Sequence, residues 1–154
     1  MLDKATFTGV RVLELAQYIF VPGAGTLLAD FGADVIHVET IDGDPYRRIR
    51  LNDGRHVGEH PLAIEQNNRG KRSLCIDLKS ERGREVFLRL VEDTDVFMTS
   101  LRPQAIDKLG LSIEDLRKRN PKLIYVRGNG LGFRGDEAGK AGLDGSAFWA
   151  RGGF

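Results

Sequence analysis

The sequence has no long apolar run, almost no cysteine and no excess of either charge. No apolar stretch reaches the ~20 residues that a membrane-spanning helix requires. The opening Met1-Leu-Asp-Lys-Ala-Thr-Phe7 contains no apolar h-region of a secretory signal. Neither a membrane partner nor export is expected, and a reducing, cytoplasmic setting fits. The single cysteine, Cys75, excludes an internal disulfide and a cysteine metal site. It lies in the apolar run Ser73-Leu-Cys-Ile-Asp-Leu78 and reads as a buried strand residue. With 23 basic and 22 acidic residues the formal charge is +1, so no global field draws a polyanion and nucleic acid is not an expected partner. His37, His56 and His60 stand at spacings from Asp and Glu that match no zinc pattern, so no metal is expected. There are no internal repeats or low-complexity tracts.

Glycine is abundant, with 19 residues, many at the ends of apolar runs. That placement suits short elements joined by tight turns. Residues 10–16 alternate and are rich in β-formers, which predicts a strand. Residues 22–31 follow as a helix, with Pro22 in the first turn and Gly32 at the stop, and 33–39 form a second strand. Strand, helix and strand within about 30 residues make a βαβ unit, hence parallel strands with a right-handed crossover. Residues 40–68 read as a long functional loop with one short helix near 60–67. Further strands are expected at 74–78, 95–98 and 123–127. Helices are expected after the N-cap Ser80, over 103–109, and over 112–119 with Ser112 as its cap. A glycine-rich loop over 128–142 leads to a helix start at 146–151. The class is α/β with an open, mainly parallel sheet and flanking helices. The chain stops just as Phe148 and Trp149 begin an element in need of cover, which suggests a truncated domain.

Several short motifs carry two readings each. Gly23-Ala-Gly25 after a strand, with Glu39 closing the next, resembles a dinucleotide fingerprint. However, the glycines lie seven and nine residues past Ala16, and Leu28 stands where the third glycine belongs. The same residues suit either a phosphate or thioester at a helix N-terminus or close packing of helix on sheet. Asn68-Arg-Gly-Lys-Arg-Ser73 holds three cations around a glycine, fit for phosphate or for a solvated patch. Arg47, Arg48, Lys79 and Lys108 are further candidate cations. Asp144, after Gly139 and Gly142, reads as a helix N-cap or as a buried site acid.

In order and spacing, a set of strings resembles the class III CoA-transferases, the carnitine dehydratase/bile-acid-inducible type, over residues 9–153. They are Gly9-Val-Arg-Val-Leu-Glu-Leu15, Leu28-Ala-Asp-Phe-Gly-Ala-Asp-Val-Ile-His-Val-Glu39, Gly43-Asp-Pro45, Asn68 to Ser73 with Asp77-Leu-Lys79, Asp95-Val96, Arg102-Pro103, Leu109-Gly110, Asn120-Pro121-Lys-Leu-Ile-Tyr125 and Gly142-Leu-Asp144. The resemblance implies that residues 1–154 form a Rossmann-like N-terminal domain binding coenzyme A as acyl-CoA substrate, within an interlocked homodimer. It implies transfer of CoA from an acyl-CoA donor to a carboxylic acid. A carboxylate attacks the donor thioester to give an anhydride and then an enzyme-bound CoA thioester. Carried over by position, Ile76, Lys79, Lys108 and Leu109 fall at CoA contacts, and Lys71 and Arg72, in the signature just before that strand, are expected to bind CoA with them. Asp144 falls at a supporting acid. The family's nucleophilic aspartate lies some tens of residues further on, past Phe154.

Three departures narrow the expectation. Ile19 replaces a glutamine of formyl-CoA transferases, which points away from oxalate or formate. Thr40 stands near an arginine that meets CoA in those enzymes. Leu143 replaces the histidine base of the related racemases. Ile19, Phe20, Leu143, Phe148 and Trp149 suggest a bulky apolar acyl group. The alternatives are a racemase or isomerase of the same superfamily, separated by proton exchange without a CoA acceptor; a non-catalytic CoA-binding module; and a nicotinamide enzyme, which requires saturable NAD binding.

Overall fold

In the computed structural model, residues 5–48 and 62–153 are described. The chain runs β1 (Arg11–Leu15), α1 (Phe20–Asp30), β2 (Asp34–Glu39), a 3-10 turn (Pro45–Arg48), α2 (Leu62–Gln66), β3 (Arg72–Cys75), α3 (Glu81–Glu92), β4 (Val96–Thr99), α4 (Pro103–Leu109), α5 (Ile113–Arg119), β5 (Ile124–Arg127) and a π-helical segment (Asp144–Trp149). The strands form one sheet in the order β3-β2-β1-β4-β5, and every neighbouring pair is parallel. This is the expected open α/β architecture.

Alternation along the strands sorts side chains onto two faces. Leu13, Leu15, Ile36, Val38 and Phe97 point to one face and pack against Phe87 and Val91 of α3, Ile106 of α4 and Leu116 of α5. Phe97 meets Phe87 and Tyr125 edge-on, with ring centroids 5.9 and 5.1 Å apart. Val12, Val35 and Met98 point to the other face, where Val21 of α1 covers them. Helix ends follow their capping residues. Ser80 Oγ accepts from Gly83 N–H at 3.0 Å and Ser112 Oγ from Asp115 N–H at 3.1 Å, as expected of N-caps. Gly32, at φ 95°, ends the α1 turn in the left-handed region that favours glycine.

Several boundaries differ from the sequence expectation. α1 begins at Phe20, so Pro22 is its third residue. β3 ends at Cys75: Ile76 N–H makes one last bond to the Glu39 carbonyl at 3.0 Å, and Asp77 then turns the chain by accepting Lys79 N–H at 2.9 Å; Ile76 and Leu78 remain in the core. Cys75 is exposed rather than buried. β3 is an edge strand whose Leu74 packs on the α3 side, so Cys75 points to the face that α1 covers only further in. The last helix opens at Asp144, with Leu143 at the N-cap position. His56, His60 and the first residues of the helix expected at 60–67 lie outside the described residues.

Candidate functional site

The strand order reverses between β1 and β4, and in open α/β sheets ligands bind beyond the carboxyl ends of the strands at such a point. A crevice of about 470 Å³ lies there. Leu15, Ala16 and Gln17 wall it at the end of β1; Val38, Glu39 and residues 40–44 at the end of β2; Asp77, Leu78 and Lys79 after β3; Leu101 before α4 and Leu109 at the end of that helix. A shallower hollow of about 220 Å³ is lined by Arg102, Gln104, Ala105, Lys108 and Gly139. Lys108 and Leu109 are consecutive in the last turn of α4, so this helix borders both hollows.

The sequence candidates divide accordingly. Lys79 and Leu109 line the crevice, Lys108 lines the neighbouring hollow, and Ile76 is buried in the core next to the crevice residue Asp77. Lys71 and Arg72 are engaged elsewhere. The Lys71 ammonium reaches Glu14 Oε1 and Oε2 at 2.9 and 3.0 Å and donates to the Pro22 carbonyl at 2.8 Å. Arg72 grips Asp34, at the amino end of β2, through two bonds of 2.8 and 2.6 Å. Asp144 opens the π-helical segment after the glycine-rich loop. Among the described residues, no group of three or more His, Cys, Asp or Glu could hold a metal ion, and no helix is long and apolar enough to cross a membrane.

Sequence reasoning missed a buried polar network on the α1 face. Glu14, His37, Glu39 and Asp44 are each less than a tenth exposed, a rare condition for charged groups unless they are paired. His37 Nδ1 lies 2.6 Å from Glu14 Oε1, and its Nε2, 3.9 Å from Glu39, has no hydrogen-bond partner among the described residues. Glu39 accepts a bidentate pair of bonds from Arg47, one of them 2.7 Å long, and the Asp44 N–H at 2.8 Å. The Arg47 bonds hold the Glu39 carboxyl below its ordinary value against the opposing effect of burial. Burial pushes Asp44 up and pulls the Lys71 ammonium down. The available signal was a charge inside each of the strands 10–16 and 33–39, where a wholly apolar run would be expected of a sheet covered on both faces.

This network decides two of the open readings. Glu39 spends its oxygens on Arg47 and a backbone N–H, so the acid that a nicotinamide nucleotide would need for its ribose is already taken. Residues 22–25 lie inside α1, and a Cβ at Gly25 would stand 1.8 Å from Glu14 Oε2. Close helix–sheet packing therefore accounts for that glycine.

The sequence pattern of CoA-transferase family III matches residues 7–154. A cinnamoyl-CoA:phenyllactate CoA-transferase of Clostridium sporogenes is 38% identical over 153 residues, covering 96% of this chain and 36% of its own length. A succinate–glutarate CoA-transferase of Agrobacterium fabrum is 40% identical over 147 residues, 92% of this chain and 36% of its own length. The crystal structure of a CaiB/BaiF family protein from Brucella suis superposes with a TM-score of 0.84 at 38% identity, over 94% of this chain and 38% of that one. The chain thus spans about a third of the length of the curated relatives it matches.

Proposed function

The chain belongs to CoA-transferase family III, and from that premise we propose that it supplies the coenzyme A-binding part of an enzyme that moves CoA from an acyl-CoA donor to a carboxylic acid. The observation that carries this reading is the crevice at the carboxyl ends of the strands, where Lys79 from the turn after β3 and Leu109 from α4 converge. Its mixed walls suit the nucleotide end of CoA. Leu15, Leu78, Leu101 and Leu109 offer apolar contact for a base, and Asp42 offers an acceptor for hydroxyl groups. Lys79 is a point charge for a phosphate oxygen. Lys108 and Arg102 in the adjoining hollow extend that positive character along the ligand.

In this reading Ile76 shapes the crevice from beneath, while Lys71 and Arg72 hold strands together through Glu14 and Asp34 rather than touching the ligand. Asp144 supports the reacting end as a neighbouring acid. The attacking carboxylate is the aspartate that family resemblance puts beyond Phe154, and the working form is a cytoplasmic homodimer without a metal. The reaction needs none, since carboxylate attack on a thioester, anhydride formation and return of the CoA thiolate are acyl transfers throughout.

Calorimetric titration of the full-length protein with CoA tests the reading. Lys79→Ala is expected to weaken binding roughly tenfold, the worth of one charge-assisted hydrogen bond, and to raise KM for the acyl-CoA donor more than it lowers kcat. Unchanged affinity in Lys79→Ala and Lys108→Ala alike would remove the crevice from the CoA site.

A further inference from the structure

Tyr18 is the only non-glycine residue with positive φ among the described residues, at 65°. A bulky L-residue in the left-handed region is disfavoured and persists only where its surroundings impose it. The imposing group here is Asp44. Its carboxylate accepts the Tyr18 N–H at 3.2 and 3.3 Å and the Tyr46 N–H at 2.8 Å. Its own N–H is held at 2.8 Å by Glu39, which Arg47 fixes in turn. The Tyr18 and Tyr46 rings meet edge-on, with centroids 6.2 Å apart. On the other side of the turn, Gln17 N–H donates to Ser100 Oγ at the end of β4, 2.9 Å away. The segments leaving β1, β2 and β4 are thereby tied together by one buried acid and one hydroxyl. Gln17 and Asp44 both line the crevice.

We propose that Asp44 is a positioning residue for the crevice: acting through Tyr18, it holds the segment after β1 in the left-handed turn that sets Gln17 at the crevice wall and launches α1. The proposal rests on the crevice being the CoA site. A carboxylate suits the task because it is an acceptor only, with lone pairs enough for two backbone N–H groups from two different loops. Burying such a charge does not by itself favour folding, so its benefit is the geometry it enforces. The groups around it are His37 and Glu39 of β2, Arg47 of the 3-10 turn, and Lys71, whose ammonium feels its charge.

The test compares Tyr18→Gly with Tyr18→Ala, each alone and combined with Asp44→Ala, in the full-length protein. Both changes remove the ring, but only glycine enters the left-handed region freely. With Asp44 present the turn is imposed on both, and both should bind CoA alike. Without Asp44 the alanine variant should bind roughly tenfold more weakly than the glycine variant, the ratio set by the left-handed penalty of an L-residue. A glycine-to-alanine ratio that is the same in the two backgrounds overturns the proposal, because a merely structural acid would lower both affinities together. If Asp44→Ala does not fold, the isosteric Asp44→Asn serves in its place, with a smaller difference of the same sign. Amide exchange at Tyr18 supplies a readout that needs no ligand. Its N–H should exchange at least roughly tenfold faster once the acceptor is removed, and an unchanged rate overturns the clamp. Protection of Tyr18 together with no CoA binding in any form would refute the CoA reading and leave the clamp standing.

Discussion

The two faces of the sheet are built from neighbouring residues of the same strands yet obey different rules. On the α3 side Leu13, Leu15, Ile36, Val38 and Phe97 fill a buried apolar core. On the α1 side, one residue along, Glu14, His37 and Glu39 form a buried polar network that reaches Lys71, Arg47 and Asp44. The apolar face is close-packed and non-directional, so its contribution scales with the surface it hides. The polar face is directional, and each of its bonds fixes a particular segment. Lys71 ties the start of β3 to β1 beneath α1, and Glu39 with Asp44 ties the loops after β1 and β2. The α3 face is chiefly apolar, whereas the α1 face adds to its apolar cluster directed ties, between strands through Lys71 and among the crevice loops through Glu39 and Asp44.

The largest expected effect comes from breaking a pair on the polar face. Lys71→Met leaves Glu14 buried without its ammonium and should cost about 3–5 kcal/mol, read as a lower denaturation midpoint. Phe87→Ala on the apolar face should cost a similar ~3–5 kcal/mol by opening a cavity, but should leave CoA affinity unchanged in the protein that remains folded. If Lys71→Met costs nothing, the polar network is not a structural tie and the contrast between the faces fails.

A smaller effect separates the faces by pH. Glu39 titrates below its ordinary value of 4.5 because Arg47 donates to it. A depressed carboxyl contributes stability that is present above its unfolded value and is lost as pH falls through the lower folded value. Arg47→Met removes the chief cause of that depression. The stability difference between wild type and Arg47→Met should therefore be widest near neutrality and shrink as pH drops below about 4.5, followed by urea midpoints across pH. Asp44 works the other way: raised by burial, it favours the fold below its ordinary value of 3.8 and loses that contribution as pH rises through the raised one. A difference that does not vary with pH would mean that the Arg47–Glu39 pair is not formed in solution.

The smallest effect belongs to Arg72. Its bond to Asp34 lies on the surface at the amino end of the strands, where an exposed pair is worth about 0–1 kcal/mol. Arg72→Ala should change stability by no more than that and leave CoA affinity unaltered. A tenfold loss of affinity would return this residue to the binding site.

The fold was largely legible because its cues are local. The period-two run before Ala16, the capping serines at 80 and 112 and the glycine at 32 specify strand, helix and turn with little tertiary help. Two kinds of feature were not legible. Edge position is a property of the whole sheet, and Cys75 looked buried because its sequence neighbours are apolar while its strand has no partner on one side. The roles of the cations also depend on distant partners. Lys71, Arg72 and Lys79 look alike within nine residues of sequence, and only the register of β3 against β2 places the first under α1, the second beside Asp34 and the third at the crevice. The string Gly43-Asp-Pro45 could be matched by resemblance, but its acid acts on Tyr18, 26 residues earlier, and no local pattern announces that bond.

The most direct test of the division between the two faces is amide hydrogen exchange of the full-length protein with and without saturating CoA. We expect ligand-dependent protection around residues 15–17, 38–44, 77–79 and 101–109, with no change on the α3 face or at the amino ends of the strands. Protection centred instead on Lys71 and Arg72, or absent from the carboxyl ends of β1 and β2, would contradict the account.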